Sequence, residues 1–111
     1  MWYLKKEVMI CGAHYLKRYI GPCSKLHGHN WKVTVFCKGD ALDDRGLLVD
    51  FRDIKAEVMK FDHACMNDME PFNDYMNPTA ENIAKYLCEG IPHCYKVLVE
   101  ETPGSEAIYE V

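Results

Sequence analysis

Apolar and polar residues alternate along residues 29–38, which read His-Asn-Trp-Lys-Val-Thr-Val-Phe-Cys-Lys. This period of two, with β-branched and aromatic residues at the apolar positions, predicts a β-strand with one buried face. Residues 2–11, 95–99 and 107–111 are rich in apolar residues and predict three more strands.

Two segments have the spacing of amphipathic helices instead. The first begins at Asp50 or Asp53, either of which can cap a helix, and runs to about Phe61. The second begins within residues 77–82, where Pro lies near the first turn, and ends at Gly90. The apolar stripes that define the two helices are Ile54, Val58, Met59 and Phe61 in the first, and Ile83, Ala84, Leu87 and Cys88 in the second.

Turn signals connect these elements. The segment from Gly39 to Gly46 predicts a hairpin that returns through residues 47–49, and Thr-Pro-Gly-Ser at residues 102–105 separates the last two strands. The order β-β-α-α-β-β over residues 1–111 predicts one α+β domain, an antiparallel four-stranded sheet with two helices on one face. Such a sheet has open edges, and pairing them between copies of the chain predicts a homo-oligomer.

Charge and composition exclude several classes of function. The net charge of -4 argues against a general nucleic-acid surface, which requires clustered Lys and Arg. Lys17, Arg18 and Lys25 do form a local basic group that can attract an anionic substrate. No stretch has the length of a membrane span, and charged residues interrupt any N-terminal signal-like run, so we expect a cytoplasmic protein without a membrane partner.

The six cysteines, at positions 11, 23, 37, 65, 88 and 94, contain no Cys-x-x-Cys pair and no regular spacing. Without a secretory signal they are expected to be reduced thiols, most of them buried as small apolar residues. Cys37, in the predicted strand, and Cys88, on the helical stripe, are predicted to be packing residues.

The candidate chemistry is concentrated in the sequence His27-Gly28-His29-Asn30. In a strand His27 and His29 project from the same face, and His14 on a neighbouring strand completes a set of three imidazoles. Three protein ligands with an open fourth position are typical of catalytic zinc. Cys23 follows a Gly-Pro turn and lies in a loop, where it is either a thiol activated beside the metal or the fourth ligand of a closed structural site.

Five blocks of the sequence resemble, in order, the 6-pyruvoyltetrahydropterin synthase superfamily. They cover essentially the whole chain: residues 11–14 (Cys-Gly-Ala-His) with 23–30 (Cys-x-x-x-His-Gly-His-Asn), 46–55 (Gly-Leu-Leu-Val-Asp-Phe-Arg-Asp-Ile-Lys), 62–68 (Asp-His-x-x-Met-Asn-Asp), 77–82 (Asn-Pro-Thr-Ala-Glu-Asn) and 101–102 (Glu-Thr). The short Cys-to-His spacing is similar to that of the bacterial branch, the 6-carboxy-5,6,7,8-tetrahydropterin synthases of queuosine biosynthesis. Gly12, Phe61 and Met66 depart from the family's usual Ala or Ser, Leu and Leu.

This resemblance implies an activity and an assembly. The branch converts 7,8-dihydroneopterin triphosphate and water to 6-carboxytetrahydropterin, acetaldehyde and triphosphate. Its tunnelling fold is a barrel formed by subunits that join their sheet edges, typically a hexamer, with active sites at the subunit interfaces. The alternatives are a 6-pyruvoyltetrahydropterin synthase on the same scaffold, or a non-catalytic zinc-binding module.

The resemblance also implies roles for single residues. It assigns Zn²⁺ to His14, His27 and His29, and the catalytic base to Cys23. His63 would exchange protons while Asp62 orients it, whereas the residues alone favour a solvated pair at a helix end. Glu101 would anchor the pterin ring. Thr79 is a candidate for cradling the pterin, and its capping of a helix explains it as well; Lys25, with Lys17 and Arg18, is a candidate for binding the triphosphate.

Overall fold

A computed structural model of the chain describes residues 1–111 as one five-stranded sheet with two helices. The strand order is β3-β1-β2-β4-β5; all pairs are antiparallel except β1 with β3. The elements are β1 (Trp2–His14), β2 (His27–Gly39), α1 (Phe51–Met59), β3 (Ala64–Cys65), α2 (Ala80–Gly90), β4 (Cys94–Thr102) and β5 (Ser105–Glu110).

The strands and helices share one core, because the apolar side chains at alternate positions of the strands all point to one side of the sheet. Val8, Val33 and Val99 are neighbours in register on three adjacent strands, and all three are buried. Both helices add their apolar stripes to the same core, so they lie on one face of the sheet, as predicted. The core side chains contributed by the helices are Ile54, Val58, Ala80, Ile83, Ala84, Leu87 and Cys88.

The helix boundaries follow from capping. The Asp50 carboxylate accepts the backbone N–H of Arg52 and begins α1, and the Thr79 hydroxyl accepts that of Asn82 and begins α2. The predicted start at Asp50 and the predicted end of the second helix at Gly90 are therefore confirmed.

Two predictions about strands are wrong. Residues 47–49 do not return as a hairpin strand; β2 pairs with β1 on one side and β4 on the other, which leaves it no free edge. Asp43 instead accepts the backbone N–H groups of Arg45 and Leu47, and Leu48 packs against the core from this loop. The sheet has five strands because the two-residue β3, too short to show a period, pairs with the end of β1.

Neither helix has the length and apolar character required to span a membrane.

Candidate metal centre and active site

Three histidine side chains converge where the β1–β2 ladder ends. His14, the last residue of β1, pairs with His27, the first residue of β2, and His29 follows on the same face. The ring centroids lie 4.6 Å apart for His14 and His27, 5.2 Å for His14 and His29, and 4.8 Å for His27 and His29. The alternation of the strands and their antiparallel register thus bring the three together.

Hydrogen bonds on the far side of two rings orient their free nitrogens. His14 Nδ1 lies 2.7 Å from the carbonyl oxygen of Pro78, and His27 Nδ1 lies 2.7 Å from that of Lys25. A carbonyl oxygen can only accept, so each Nδ1 donates its proton and each Nε2 keeps its lone pair. Backbone carbonyls orient metal-binding histidines in this way in many metalloproteins.

The Nε2 atoms of His14, His27 and His29 are all buried and have no hydrogen-bond partner. Buried polar atoms without a partner are rare, and three of them facing one another leave a large unmet capacity to donate electron pairs. Three imidazole nitrogens are the donor set of a catalytic zinc site with a fourth position left for another ligand. The residues therefore fit a divalent metal ion.

Glu101, on β4, is the fourth member of this group. One of its carboxylate oxygens, Oε1, lies 2.8 Å from His29 Nε2 and 3.6 Å from His14 Nε2, and the ligand atoms of all four residues lie within 4.8 Å of one another. The contact with His29 is short without the angles of a hydrogen bond. The sequence did not predict this proximity to the ring nitrogens, because β4 follows β2 by more than fifty residues.

Burial keeps the histidines in the form that binds metal. It lowers the pKa of His14 and that of His29, and in both cases the opposing attraction of the Glu101 carboxylate is smaller. His14 is only 2% exposed. Both imidazoles are therefore neutral near neutral pH and can donate their lone pairs.

Trp31 forms the floor of the histidine group, a role that the sequence did not indicate beyond its place in a strand. Its indole is fully buried, with its ring centroid 4.8 Å from that of His14 and 5.2 Å from that of His29. Its Nε1–H donates to the carbonyl oxygen of Gly12, 3.1 Å away. This hydrogen bond satisfies the one polar atom of the indole and fixes the plane on which two histidine rings rest.

Two asparagines hold the segment that follows His14. The Asn67 side chain accepts from the backbone N–H of Tyr15 and donates to its carbonyl, and Asn77 does the same for Lys17. Each amide thus supplies hydrogen-bond partners to backbone groups that lie beyond the end of β1. These asparagines belong to the blocks that carry the family resemblance, but their effect on this segment could not be seen in the sequence.

Cys23 lies apart from the histidine group in the contacts that the structure records. It is half-buried within a short 3-10 turn, Pro22–Ser24, and its carbonyl accepts the N–H of Leu16 at 2.8 Å. The fourth side chain within ligand distance of the histidines is that of Glu101, not Cys23. The interpretation of Cys23 as a fourth ligand therefore has no support from the geometry.

Asp62 and His63 form an ordered pair docked on β1. Asp62 Oδ2 lies 2.7 Å from His63 Nδ1, and Asp62 Oδ1 accepts the backbone N–H of Cys11 at 2.8 Å. That hydrogen bond, followed by the one with His63, lowers the pKa of Asp62, so its carboxylate is charged. The two residues are thus a connected pair rather than two separately solvated side chains.

His63 has an unusual backbone and an exposed ring. Its φ is 54°, in the left-handed region that costs energy for a residue with a Cβ, and its side chain is 81% exposed. Its backbone N–H donates to the Cys11 carbonyl at 2.6 Å, which holds the strained conformation in place. Backbone strain of this kind concentrates at functional sites.

Two cavities border the site. One, of about 570 Å³, is lined by residues of β1, β2 and β3 and includes both His29 and His63. The other, of about 530 Å³, lies between the first turn of α2 and the β4–β5 turn and includes Glu101. Thr79 immediately precedes this helical turn, and its hydroxyl oxygen accepts the Asn82 N–H, which leaves the hydroxyl proton available.

The three basic candidates differ in their surroundings. The Lys17 ammonium donates to the carbonyl oxygens of Phe72 and Asp74, so it holds a loop. The Arg18 guanidinium lies over the ring of Tyr75, 3.6 Å from its centroid. Lys25 is exposed and, among the three, is the one whose ammonium makes no such contact.

Comparison with known proteins gives one consistent result. The family model described as 6-pyruvoyl tetrahydropterin synthase matches residues 3–111. The chain is 37% identical to the 6-carboxy-5,6,7,8-tetrahydropterin synthase of Bacillus subtilis, over 96% of this chain and 83% of that protein. It is 32% identical to the protein of the same name from Synechocystis, over 98% of this chain and 93% of that one.

The fold gives the same result. The structure of Caenorhabditis elegans 6-pyruvoyl tetrahydropterin synthase superposes with a TM-score of 0.78 and 25% identity, covering 99% of this chain and 95% of that one. Since the family model matches nearly the whole chain and the overall fold superposes well, the chain belongs to the 6-pyruvoyl tetrahydropterin synthase family.

Proposed function

We propose that the chain is a zinc-dependent 6-carboxy-5,6,7,8-tetrahydropterin synthase. It converts 7,8-dihydroneopterin triphosphate and water to 6-carboxytetrahydropterin, acetaldehyde and triphosphate, in the cytoplasm and as a step of queuosine biosynthesis. The observation that carries the proposal is the set of three buried, unpartnered Nε2 atoms of His14, His27 and His29. The relatives that bear this name, matched over almost the whole chain, supply the reaction.

In this proposal His14, His27 and His29 hold the metal through Nε2. Bound zinc supplies Lewis acidity, which polarises side-chain oxygens of the substrate and lowers the pKa of its hydroxyl groups. The Pro78 and Lys25 carbonyls keep the rings of His14 and His27 in the required tautomer, and Trp31 packs against His14 and His29 and limits their rotation. The histidines are therefore already oriented to receive a metal ion without a large rearrangement.

Proton transfer is assigned to Cys23 and to the Asp62–His63 pair. Cys23 removes a proton from the substrate side chain as a thiolate, and His63 exchanges protons through Nε2 while Asp62 holds Nδ1. His29 and His63 both border one cavity, on the face of the sheet from which Cys11 and Asn30 project. Family resemblance assigns the complete site to a junction between subunits.

Glu101 is proposed to anchor the pterin ring. Its carboxylate would accept two hydrogen bonds, one from the amino group of the ring and one from a ring N–H. Its position at the cavity beside α2 supports this role, with Thr79 at the adjacent helix start. Lys25 is proposed to bind the triphosphate, since its ammonium is exposed near the histidine segment.

The role of Glu101 is tested by Glu101→Gln, with Glu100→Gln as the matched control because Glu100 occupies the opposite face of β4. Loss of a charged acceptor in a desolvated site costs about 1.5–3 kcal/mol, so pterin should bind roughly ten- to a hundredfold more weakly. Zinc content should not change. Unchanged pterin affinity would contradict the role of Glu101 as an anchor. Loss of zinc would instead favour Glu101 as a metal ligand.

We propose a homo-oligomer, by family resemblance a hexamer. Two unpaired sheet edges support it: the outer edge of β5, and most of β1, which β3 covers at only two positions. Exposed apolar side chains, among them Met9 and Ile108, lie on these strands. Edge pairing between copies would remove both open edges. A fully active monomer in analytical ultracentrifugation would refute this assembly.

The proposed reaction is tested by incubating the zinc-loaded protein with 7,8-dihydroneopterin triphosphate and identifying the products by mass spectrometry. We expect acetaldehyde together with 6-carboxytetrahydropterin, and no turnover by His27→Ala. Release of triphosphate with 6-pyruvoyltetrahydropterin and no acetaldehyde would identify the alternative synthase. Absence of any turnover by a protein with full zinc occupancy would indicate the non-catalytic module.

A further inference from the structure

Three cysteines meet at the end of the sheet remote from the histidines. Cys37 of β2 pairs in register with Cys94, the first residue of β4, and the Cys94 sulfur lies 3.6 Å from that of Cys88 in α2. Ten residues of strand separate His27 from Cys37, which is about 33 Å. The thiol cluster, formed by Cys37, Cys88 and Cys94, is therefore a separate feature of the molecule.

The three thiols differ in their access to solvent. Cys37 is 0% exposed and Cys88 is 3% exposed, whereas Cys94 is partly exposed. The sulfur of Cys37 also contacts the Pro92 carbonyl oxygen at 3.7 Å, so this segment of the chain packs against it. A dissolved reagent can therefore reach the cluster through Cys94, with the other two thiols buried behind it.

The contacts within the cluster also favour charge on Cys94. The pKa of Cys94 is lowered because the S–H groups of Cys37 and Cys88 donate to its sulfur when it is ionised. The pKa values of its two neighbours are raised, that of Cys37 first by the same hydrogen bond and that of Cys88 first by burial. Of the three sulfurs, the partly exposed one is thus the one at which ionisation is favoured, and the thiolate is the form that reacts with oxidants.

We propose that the thiol cluster is a site of reversible oxidation by hydroperoxides, with Cys94 as the attacking thiol and Cys88 as its disulfide partner. The two sulfurs must approach by about 1.5 Å to reach bonding distance, which side-chain rotation can supply. This inference is independent of the proposed enzymatic activity, because it uses none of the residues assigned to it.

The reaction balances with peroxide as the only oxidant. The Cys94 thiolate attacks one peroxide oxygen, the O–O bond breaks, and hydroxide leaves to become water, which gives a sulfenic acid on Cys94. The Cys88 sulfur then attacks the Cys94 sulfur and expels the remaining oxygen as a second water. Two thiols lose two electrons and two protons in total, and one hydrogen peroxide becomes two waters. An added thiol such as dithiothreitol reverses the bond by exchange.

Peptide mapping of the full zinc-loaded chain tests the proposal without any substitution. After limited hydrogen peroxide, free thiols are alkylated and the chain is cut with trypsin, which leaves Cys88 and Cys94 in one peptide, residues 86–96. We expect this peptide to escape alkylation and to weigh two hydrogen atoms less than its reduced form, with zinc content unchanged. A first disulfide that instead joins residues 86–96 to the Cys37 peptide, residues 33–38, would overturn the assignment of Cys88.

Two variants separate the attacking thiol from its partner. Cys88→Ser should leave Cys94 as a sulfenic acid that dimedone traps. Cys94→Ser should form no disulfide, and dimedone should not label Cys88 in it. Cys37→Ser is the matched control and should still form the disulfide. The proposal is overturned if Cys94 stays reduced while other cysteines of the chain are already oxidised, or if Cys88 is trapped in the Cys94→Ser variant.

Discussion

Side chains at both ends of β2 lie on the same face of the sheet, but their surroundings satisfy them in different ways. At one end Val33 and Val35 are fully buried in a core to which both helices contribute, and contact between apolar groups satisfies the face. At the other end His27 and His29 occupy equivalent positions, and their Nε2 atoms are buried without a hydrogen bond. Packing is therefore sufficient for the first end, whereas the second end needs a ligand.

Loss of the metal should be the largest effect that breaks this comparison. His27→Ala removes one of three donors, so we expect the variant to lose both zinc and turnover, as His29→Ala should. Zinc is measured by elemental analysis of the purified protein. His93→Ala is the matched control, because His93 is exposed and lies outside the histidine group. Full zinc occupancy in the His27→Ala, His29→Ala double variant would rule the site out.

Cys23 should separate chemistry from metal binding at the histidine end. Cys23→Ala should lower turnover by on the order of a hundredfold or more, the scale of a lost acid–base group, while zinc content stays the same. In the unmodified chain Cys23 should be alkylated before the buried Cys37 and Cys88 near neutral pH. Loss of zinc from Cys23→Ala would instead make the thiol a structural ligand.

A substitution at the apolar end should change stability and leave the metal site intact. Val35→Ala removes two methyl groups from a fully buried position, so the free energy of unfolding in urea should fall by about 2 kcal/mol. In metal-free protein, His29→Ala should cost less than this, because it also removes a buried nitrogen that has no partner. The comparison fails if the histidine substitution is the more destabilising of the two without metal.

The strained backbone of His63 should give the smallest effect on stability. His63→Gly removes the cost of the left-handed conformation, so the free energy of unfolding should rise by about 1 kcal/mol. Asparagine tolerates this conformation better than most residues, so the free energy of unfolding of His63→Asn should lie between that of the unmodified protein and that of His63→Gly. Turnover should fall in both variants. A less stable glycine variant would show that contacts of the imidazole, rather than its backbone, dominate.

Local rules predicted those parts of the fold that depend on neighbours in sequence. The caps at Asp50 and Thr79 bind backbone N–H groups two or three residues away, so the sequence contains the whole interaction. The prediction of a hairpin through residues 47–49 was wrong, because the edge of β2 with which these residues would pair is occupied by β4, a strand some fifty residues later in the chain. Strand β3 escaped detection because two residues show no period.

Contacts between distant residues explain what remained hidden in the candidate site. Alternation predicts that His27 and His29 share a face, but the approach of Glu101 and the floor provided by Trp31 arise only from packing. Gly12 and Met66, two departures from the family pattern, are in contact: a Cβ at Gly12 would lie 2.6 Å from the terminal methyl group of Met66. The longer side chain thus occupies space that a residue other than glycine would need.

Zinc-edge X-ray absorption of the purified protein tests the central claim most directly, because it identifies the atoms bound to the metal. The three histidines predict nitrogen ligands at about 2.0–2.1 Å with imidazole scattering, and no sulfur, in both the unmodified protein and Cys23→Ala. A sulfur shell at about 2.3 Å that disappears in Cys23→Ala would contradict an open three-histidine site and identify a closed structural centre.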